Sequence, residues 1–407
     1  MPRGRVPTLP TTNDRRPAET PRVTTVAFDV TPLLTLRTGI GHSVAELRAA
    51  LARRSDVRLL PFALGLRSPR LRHLAPPGTR MWAVPTRAAL AAWQRVDWPR
   101  ARRLTRGADV VHATNFVVPP ADVPSIVTVH DMFFARQPDA VTGVVRSFGV
   151  VLRRALAAGV WVHTTTEAVA AEVEERMAPG LRASGRLVVA PWGIPALPEE
   201  RHLSPDVEAL VGGRPFVLAM GTLEPRKNLH RLVAAFGDVA RDDPDLLLVL
   251  AGPPGPAADD ITAAIGALDP RIRDRVARPG PVDDATRAGL FERAAVLAYP
   301  SLYDGFGFPP LEAMSVGTPV VAGRSAPIEE VLGGDALLVD PLDVDDIAAG
   351  LRQTLAGGPE VDERRAGGRA RANWYSFERT ASILAPAYAR LAATSGRSRR
   401  ARSATSA

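Results

Sequence analysis

The chain has 407 residues, 46% of them hydrophobic and 23% charged, a length beyond one ordinary core and a composition suited to a two-domain globular protein. It contains no cysteine, which excludes disulfides, cysteine-ligated zinc or iron–sulfur sites and a thiol nucleophile. Its net charge of +8 divides into +3 on residues 1–22, +4 on residues 394–407 and +1 between them, so the charge describes two basic tails rather than a nucleic-acid groove.

In chain order, residues 1–22 read as a disordered basic tail without the apolar core of a signal peptide. No apolar run approaches the roughly 18–20 residues of a membrane span, and a cytoplasmic location is expected. Short apolar runs then alternate with amphipathic stretches. Strands are predicted at Val23–Val30, Val57–Ala63, Asp109–Ala113, Ser125–His130, Val160–Thr164 and Leu187–Ala190, with helices at Ser43–Arg53, Val144–Ala158 and Ala168–Met177. This is the pattern of βαβ units around a buried parallel sheet. The polar, proline-rich stretch 196–213 reads as a linker between a domain at 23–195 and a second at 214–375. The pattern restarts with strands Phe216–Met220, Leu246–Ala251, Ala295–Tyr299, Pro319–Ala322 and Ala336–Val339 and helices between them. Residues 376–393 form a last amphipathic helix, and 394–407 a second disordered basic tail.

In such α/β folds ligands sit beyond the carboxyl ends of the strands. Two clusters lie there. The first follows Phe216–Met220 and runs Gly221-Thr222-Leu223-Glu224-Pro225-Arg226-Lys227-Asn228. Of 51 basic residues, 50 are arginine, and Lys227 is the only lysine. A compact ammonium beside an arginine, just before a helix expected to begin near Asn228, suits a phosphate. The bland alternatives are chance, a solvated basic turn, and Asn228 as a helix cap. The second cluster follows Ala295–Tyr299: Asp304-Gly305-Phe306-Gly307-Phe308-Pro309-Pro310-Leu311-Glu312. Gly305 and Gly307 allow close backbone approach, the prolines start a helix, and Glu312 is placed in its first turn. A Gly/Pro turn with a helix-start glutamate explains Glu312 but not an aromatic between two glycines.

With Gly317-Thr318-Pro319-Val320 behind them, these clusters resemble the donor-binding signatures of family-four retaining glycosyltransferases of GT-B fold. That fold is two doubly wound Rossmann-like α/β domains facing across a cleft. The family carries glutamate where this chain has Asp304, a side chain one methylene shorter. Thr38-Gly39-Ile40-Gly41 resembles the family's glycine loop beside the donor diphosphate. His130-Asp131 is similar to the His-Asp of members acting on mannose-like donors, and Thr166-Glu167 resembles a Ser-Glu motif that a helix cap explains equally well. Gly280-Pro281-Val282 looks like the turn that touches the nucleotide base.

The resemblance implies transfer of a hexose, mannose-type favoured, from a nucleoside-diphosphate sugar to the hydroxyl of a glycan, glycolipid or small-molecule acceptor. It implies no metal and no further cofactor, because Arg226 and Lys227 stabilise the departing diphosphate. His130 and Asp304 then position the sugar, Glu312 holds the ribose, and Gly39, Gly41, Gly221, Val282, Gly305, Phe306 and Gly307 contribute to donor binding. Acceptor choice falls to loops such as Leu64–Arg80 and Phe133–Val144. The basic tails offer peripheral contact with the inner membrane face, and no nucleic-acid partner is expected.

Three alternatives stand beside this reading. A metal-dependent transferase would use Asp243-Pro244-Asp245 or Asp343-Val344-Asp345. A nucleotide-sugar epimerase of the same architecture would turn over the donor without an acceptor. A non-catalytic protein would bind a sugar nucleotide and transfer nothing.

Overall fold

A computed structural model describes residues 22–34, 39–65, 73–82, 84–137 and 143–404. Thr38, the tail at 1–21 and parts of the two expected acceptor loops lie outside them. The chain forms two compact units. One comprises Ile194–Tyr375 and the other the described residues before and after it.

The first unit is built on seven strands: β1 (Thr24–Asp29), β2 (Val57–Ala63), β3 (Arg80–Met81), β4 (Val110–Ala113), β5 (Ser125–Val129), β6 (Trp161–Thr164) and β7 (Leu187–Val189). They pair in parallel in the order β3-β2-β1-β4-β5-β6-β7. The second unit repeats the plan with β8 (Phe216–Met220), β9 (Leu247–Ala251), β10 (Val276–Gly280), β11 (Val296–Tyr299), β12 (Val320–Gly323) and β13 (Leu337–Val339), ordered β10-β9-β8-β11-β12-β13. Helices cover both faces of each sheet, so the central strands bury nearly every side chain rather than every second one. In both sheets the strand order reverses beside the first strand, between β1 and β4 and between β8 and β11. Loops part at such a switch point and leave a crevice.

Several elements differ from expectation. The helix Pro205–Val211 occupies the stretch read as a linker, and its Val207 and Val211 are buried in the second unit. The first helix begins at Gly39, so Gly39 and Gly41 form its opening turn rather than a loop before it; a side chain at Gly41 would press on the Pro32 carbonyl at 3.1 Å. The last helix runs Phe377–Ala404, well into the segment read as a disordered tail. Alanine and arginine, both good helix formers, carry it onward. This helix belongs to the first unit, where Leu384, Ala387, Tyr388 and Leu391 are buried.

Tyr388 also anchors a polar chain through the core of the first unit. His163 Nε2 lies 2.9 Å from the Ala190 carbonyl and must be the donor there, which leaves Nδ1 to accept. The Thr128 hydroxyl therefore donates to His163 Nδ1 at 2.9 Å, His112 Nε2–H donates to Thr128 Oγ1 at 2.8 Å, and the Tyr388 hydroxyl donates to His112 Nδ1 at 2.7 Å. One direction of donation satisfies all four buried side chains, each 0% exposed.

Burial, joined by the neighbouring histidines, holds His112 well below the ordinary imidazole range, and burial first brings His130 and His163 down to about 4. The unfolded chain protonates such rings near 6.5. As pH falls from 6.5 towards 4 the unfolded state binds more protons, and stability declines by about 1.4 kcal/mol per histidine per pH unit. Asp29 opposes this, because burial raises its carboxyl to about 6 against the bonds from Thr31 and Thr114. Three rings outweigh one carboxyl, so the first unit's melting temperature should fall through this window. A flat profile between pH 6.5 and 4.5, followed by near-UV circular dichroism, would contradict the assigned neutral chain.

Candidate active site

The site in the second unit is assembled where β8 and β11 end. Gly221, at φ 137°, turns the chain out of β8, and Gly252, at φ 144°, does the same after β9. The two abut so closely that a Cβ on Gly252 would lie 2.2 Å from the Gly221 carbonyl oxygen. The chain then forms a 3₁₀ turn, Pro225–Lys227, before the helix Leu229–Val239. Asn228, fully buried and left-handed at φ 58°, separates the two. Its side chain does not cap the helix. The amide donates to the carbonyls of Pro300 (3.1 Å) and Pro341 (2.5 Å) and accepts from Arg231, while Leu302 N–H donates to the Arg226 carbonyl at 2.8 Å. The loops after β8 and β11 are thus bonded to each other.

This stitching brings Arg226, Lys227 and Asp304 together. Asp304 accepts from Arg226 Nη1 through one oxygen. Its other oxygen accepts from Lys227 Nζ at 2.7 Å and from the Tyr299 hydroxyl at 2.5 Å. Lys227 Nζ also donates to the Tyr299 oxygen at 2.7 Å and lies 4.5 Å from that ring's centre. Glu224 holds Arg226 Nε at 2.7 Å. The Lys227 and Asp304 side chains are only 12% and 13% exposed. Burial pulls the Asp304 carboxyl upward, but the Arg226 and Lys227 charges and the bonds from Lys227 and Tyr299 overcome it and hold Asp304 well below the usual range. Burial also lowers Lys227, against the pull of Asp304.

Glu312 does not join this cluster. It lies in the second turn of the helix Phe308–Val316, not the first, because Gly307 caps that helix at φ 85° and Pro309 and Pro310 fill its opening turn. It is 4% exposed and ion-paired with Arg287. Burial raises the Glu312 carboxyl and Arg287 opposes the rise. The Phe306 side chain is buried against Phe308 and Tyr375, at 5.1 and 5.4 Å between ring centres, which leaves its backbone as the part that could meet a donor. Gly280 closes β10 at φ 76°, and half-buried Val282 follows it.

In the first unit His130 ends β5. Its Nε2 donates to the Thr114 carbonyl at 2.9 Å, Trp192 Nε1 approaches Nδ1 at 3.4 Å, and the ring lies between Trp192 and Phe116. Both ring nitrogens are therefore engaged within the unit, while the resemblance implies a contact of this ring with the donor sugar. Asp131 accepts from Phe133 N–H. Thr166 caps the helix Glu167–Arg176 through Val169 N–H, the local role already weighed for it, and Glu167 pairs with Arg182. Both Asp-x-Asp stretches serve backbone: Asp243 accepts from Asp245 N–H, and Asp343 from Asp345 and Asp346 N–H. Tyr299, Arg287 and Gly252 complete the site and were not singled out from sequence. The signal for Tyr299 was its place at the end of a strand, for Gly252 its match to Gly221 at the end of the neighbouring strand.

Asp304→Asn would leave buried Lys227 without its counter-charge and Arg226 with Glu224 alone, and breaking such a pair costs about 3–5 kcal/mol. Chemical denaturation should show a loss of that order, and Tyr299→Phe, which removes one neutral donor, a loss nearer 1 kcal/mol.

Residues 201–371 match the family described as "Glycosyl transferases group 1". The chain is 35% identical over 176 residues to O-antigen chain mannosyltransferase B of Escherichia coli, covering 42% of this chain and 45% of that protein. It is 33% identical over 214 residues to the MMP alpha-(1->4)-mannosyltransferase of Mycolicibacterium hassiacum, covering 48% and 51%. It thus spans about half the length of these curated relatives. Among solved structures, sucrose-phosphate synthase from Thermosynechococcus elongatus superposes with TM-score 0.68 at 21% identity, covering 91% of this chain and all of that one. Anabaena HepE in complex with UDP superposes at 0.64 and 16% identity. These likenesses establish the α/β GT-B fold, and Arg226, Lys227, Asp304 and Glu312 all fall inside the segment, residues 201–371, that matches the glycosyl transferases group 1 family.

Proposed function

We propose that the chain transfers a hexose, mannose-type by preference, from a nucleoside-diphosphate sugar to an acceptor hydroxyl with retention of anomeric configuration, in the assembly of a glycan, polysaccharide or glycolipid. The observation that carries this reading is the pair Arg226 and Lys227, held side by side at the switch point of the second sheet by one carboxylate, Asp304. The mannosyltransferase relatives support the sugar class.

An incoming diphosphate competes with Asp304 for both cations. Lys227 has three N–H donors, and Tyr299 and Asp304 take two of them. A desolvated ammonium and guanidinium stabilise an oxyanion far more strongly than the same groups in water. As the bond from the sugar's anomeric carbon to the phosphate oxygen breaks, the negative charge grows on the diphosphate beside Arg226 and Lys227. The acceptor oxygen bonds to the same face of that carbon, and its proton passes to the departing phosphate oxygen. His130, neutral at physiological pH, meets a sugar hydroxyl at Nδ1 in place of the long Trp192 contact. Glu312 accepts from the ribose, its carboxyl held in place by Arg287.

A thermal-shift panel of GDP-, UDP- and dTDP-sugars tests the donor class. A donor at about 100 times its Kd stabilises the fold by about 2.7 kcal/mol, and GDP-mannose is the donor expected to do so. Lys227→Ala should lower kcat about 10²–10³-fold at saturating donor; near-normal turnover would remove the diphosphate role. Glu312→Gln should weaken donor binding about tenfold, the loss of one charged hydrogen bond, and unchanged affinity in calorimetry would remove the ribose role.

A further inference from the structure

We infer that the face of the first unit around Trp98 is a docking surface for a bilayer carrying anionic headgroups, separate from the basic tails. Summed over the body the charge is nearly zero, but residues 73–106 carry seven arginines against a single acid, Asp97. Local carboxylates do not quench this surplus. Asp97 is occupied by Arg154 at 3.2 Å, and Asp122 is shared by Arg100 (3.2 Å) and Arg102 (2.7 Å). Arg87, Arg95, Arg103 and Arg106 are exposed, and among the described residues none of the four pairs with a carboxylate.

Apolar side chains stand among these charges. Trp98 is 70% exposed, Val96 50% and Leu74 44%, the first of them the most exposed large hydrophobic among the described residues. The fold holds them out. Trp93, 2% exposed, donates its indole N–H to the Pro99 carbonyl at 3.1 Å, and Ala101 N–H donates to the Pro120 carbonyl at 2.8 Å, so the loop carrying Val96 and Trp98 is fastened at its base. Beside it opens a groove of about 950 Å³ lined by Pro76, Pro77, Trp82, Arg80, Arg100 and Arg103.

An indole with an apolar body and a polar edge, followed in the chain by Pro99, Arg100 and Arg103 on the groove wall, matches the chemistry of a membrane interface. Each arginine near an anionic surface raises partitioning about fivefold. A nucleic acid would use the charges and the indole but would give Val96 and Leu74 no role. No described helix is long and apolar enough to cross a membrane, and the proposed contact is with the bilayer surface.

Co-sedimentation of the full chain with phosphatidylglycerol vesicles, and with phosphatidylcholine vesicles as control, tests this at about 0.1 M salt, where screening leaves close charges effective. The chain should bind the anionic vesicles and not the neutral ones. Trp98→Ala should weaken binding at least about tenfold, and the pair Arg87→Gln and Arg103→Gln about 25-fold, both with unchanged melting temperature. No binding, equal binding to both vesicles, or full binding by both variants would overturn the proposal. So would displacement of the vesicles by polyuridylate that itself depends on Trp98, which would assign the face to nucleic acid.

Discussion

Two cations and a carboxylate lie almost out of water where the second sheet's central strands end, and the local structure is arranged around their mutual neutralisation. Removing such charges from water costs several kcal/mol each unless each finds its partner in good geometry. Asp304 meets that demand for Arg226 and Lys227 at once, and Tyr299 fills the remaining position. The arrangement holds only if two loops far apart in sequence keep fixed positions. Asn228 provides for this by adopting a left-handed backbone and spending its amide on two carbonyls of the neighbouring segments. The glycine contact between the ends of β8 and β9 allows the turn to sit that close to the sheet.

The same carboxylate makes sense of the aspartate. Asp304 is in direct contact with both cations. It offsets the repulsion between the cations and holds their side chains in place; under the proposed function, a diphosphate would then enter a site already ordered for it.

What was legible in the sequence follows from how local each signal is. Arg226, Lys227 and Gly221 could be found because a cation pair after a glycine at the end of a buried strand is a short, contiguous pattern. The two parallel sheets were legible from apolar runs alternating with helical stretches. Arg287 gave no such signal, and Tyr299 only its place at the end of a strand, because each matters through a partner brought near by folding. The burial of the Phe306 ring was not legible either, because its partners Phe308 and Tyr375 are brought together by folding. The helix Pro205–Val211 was hidden by flanking prolines and charges, though its Val207 and Val211 carry an i, i+4 apolar pair. A near-zero sum over the body likewise concealed a strongly basic stretch at 73–106, since a total says nothing about where charges lie.

A single lysine has one more consequence. Reagents that acylate amines meet only two addresses in this chain, the α-amino group and Lys227 Nζ, and the second is 12% exposed and hydrogen-bonded to Asp304 and Tyr299. Its modification therefore reports on the state of that pocket alone. The unaltered protein carries a built-in chemical probe whose protection measures occupancy of the cation pair, with no background from the fifty arginines around it.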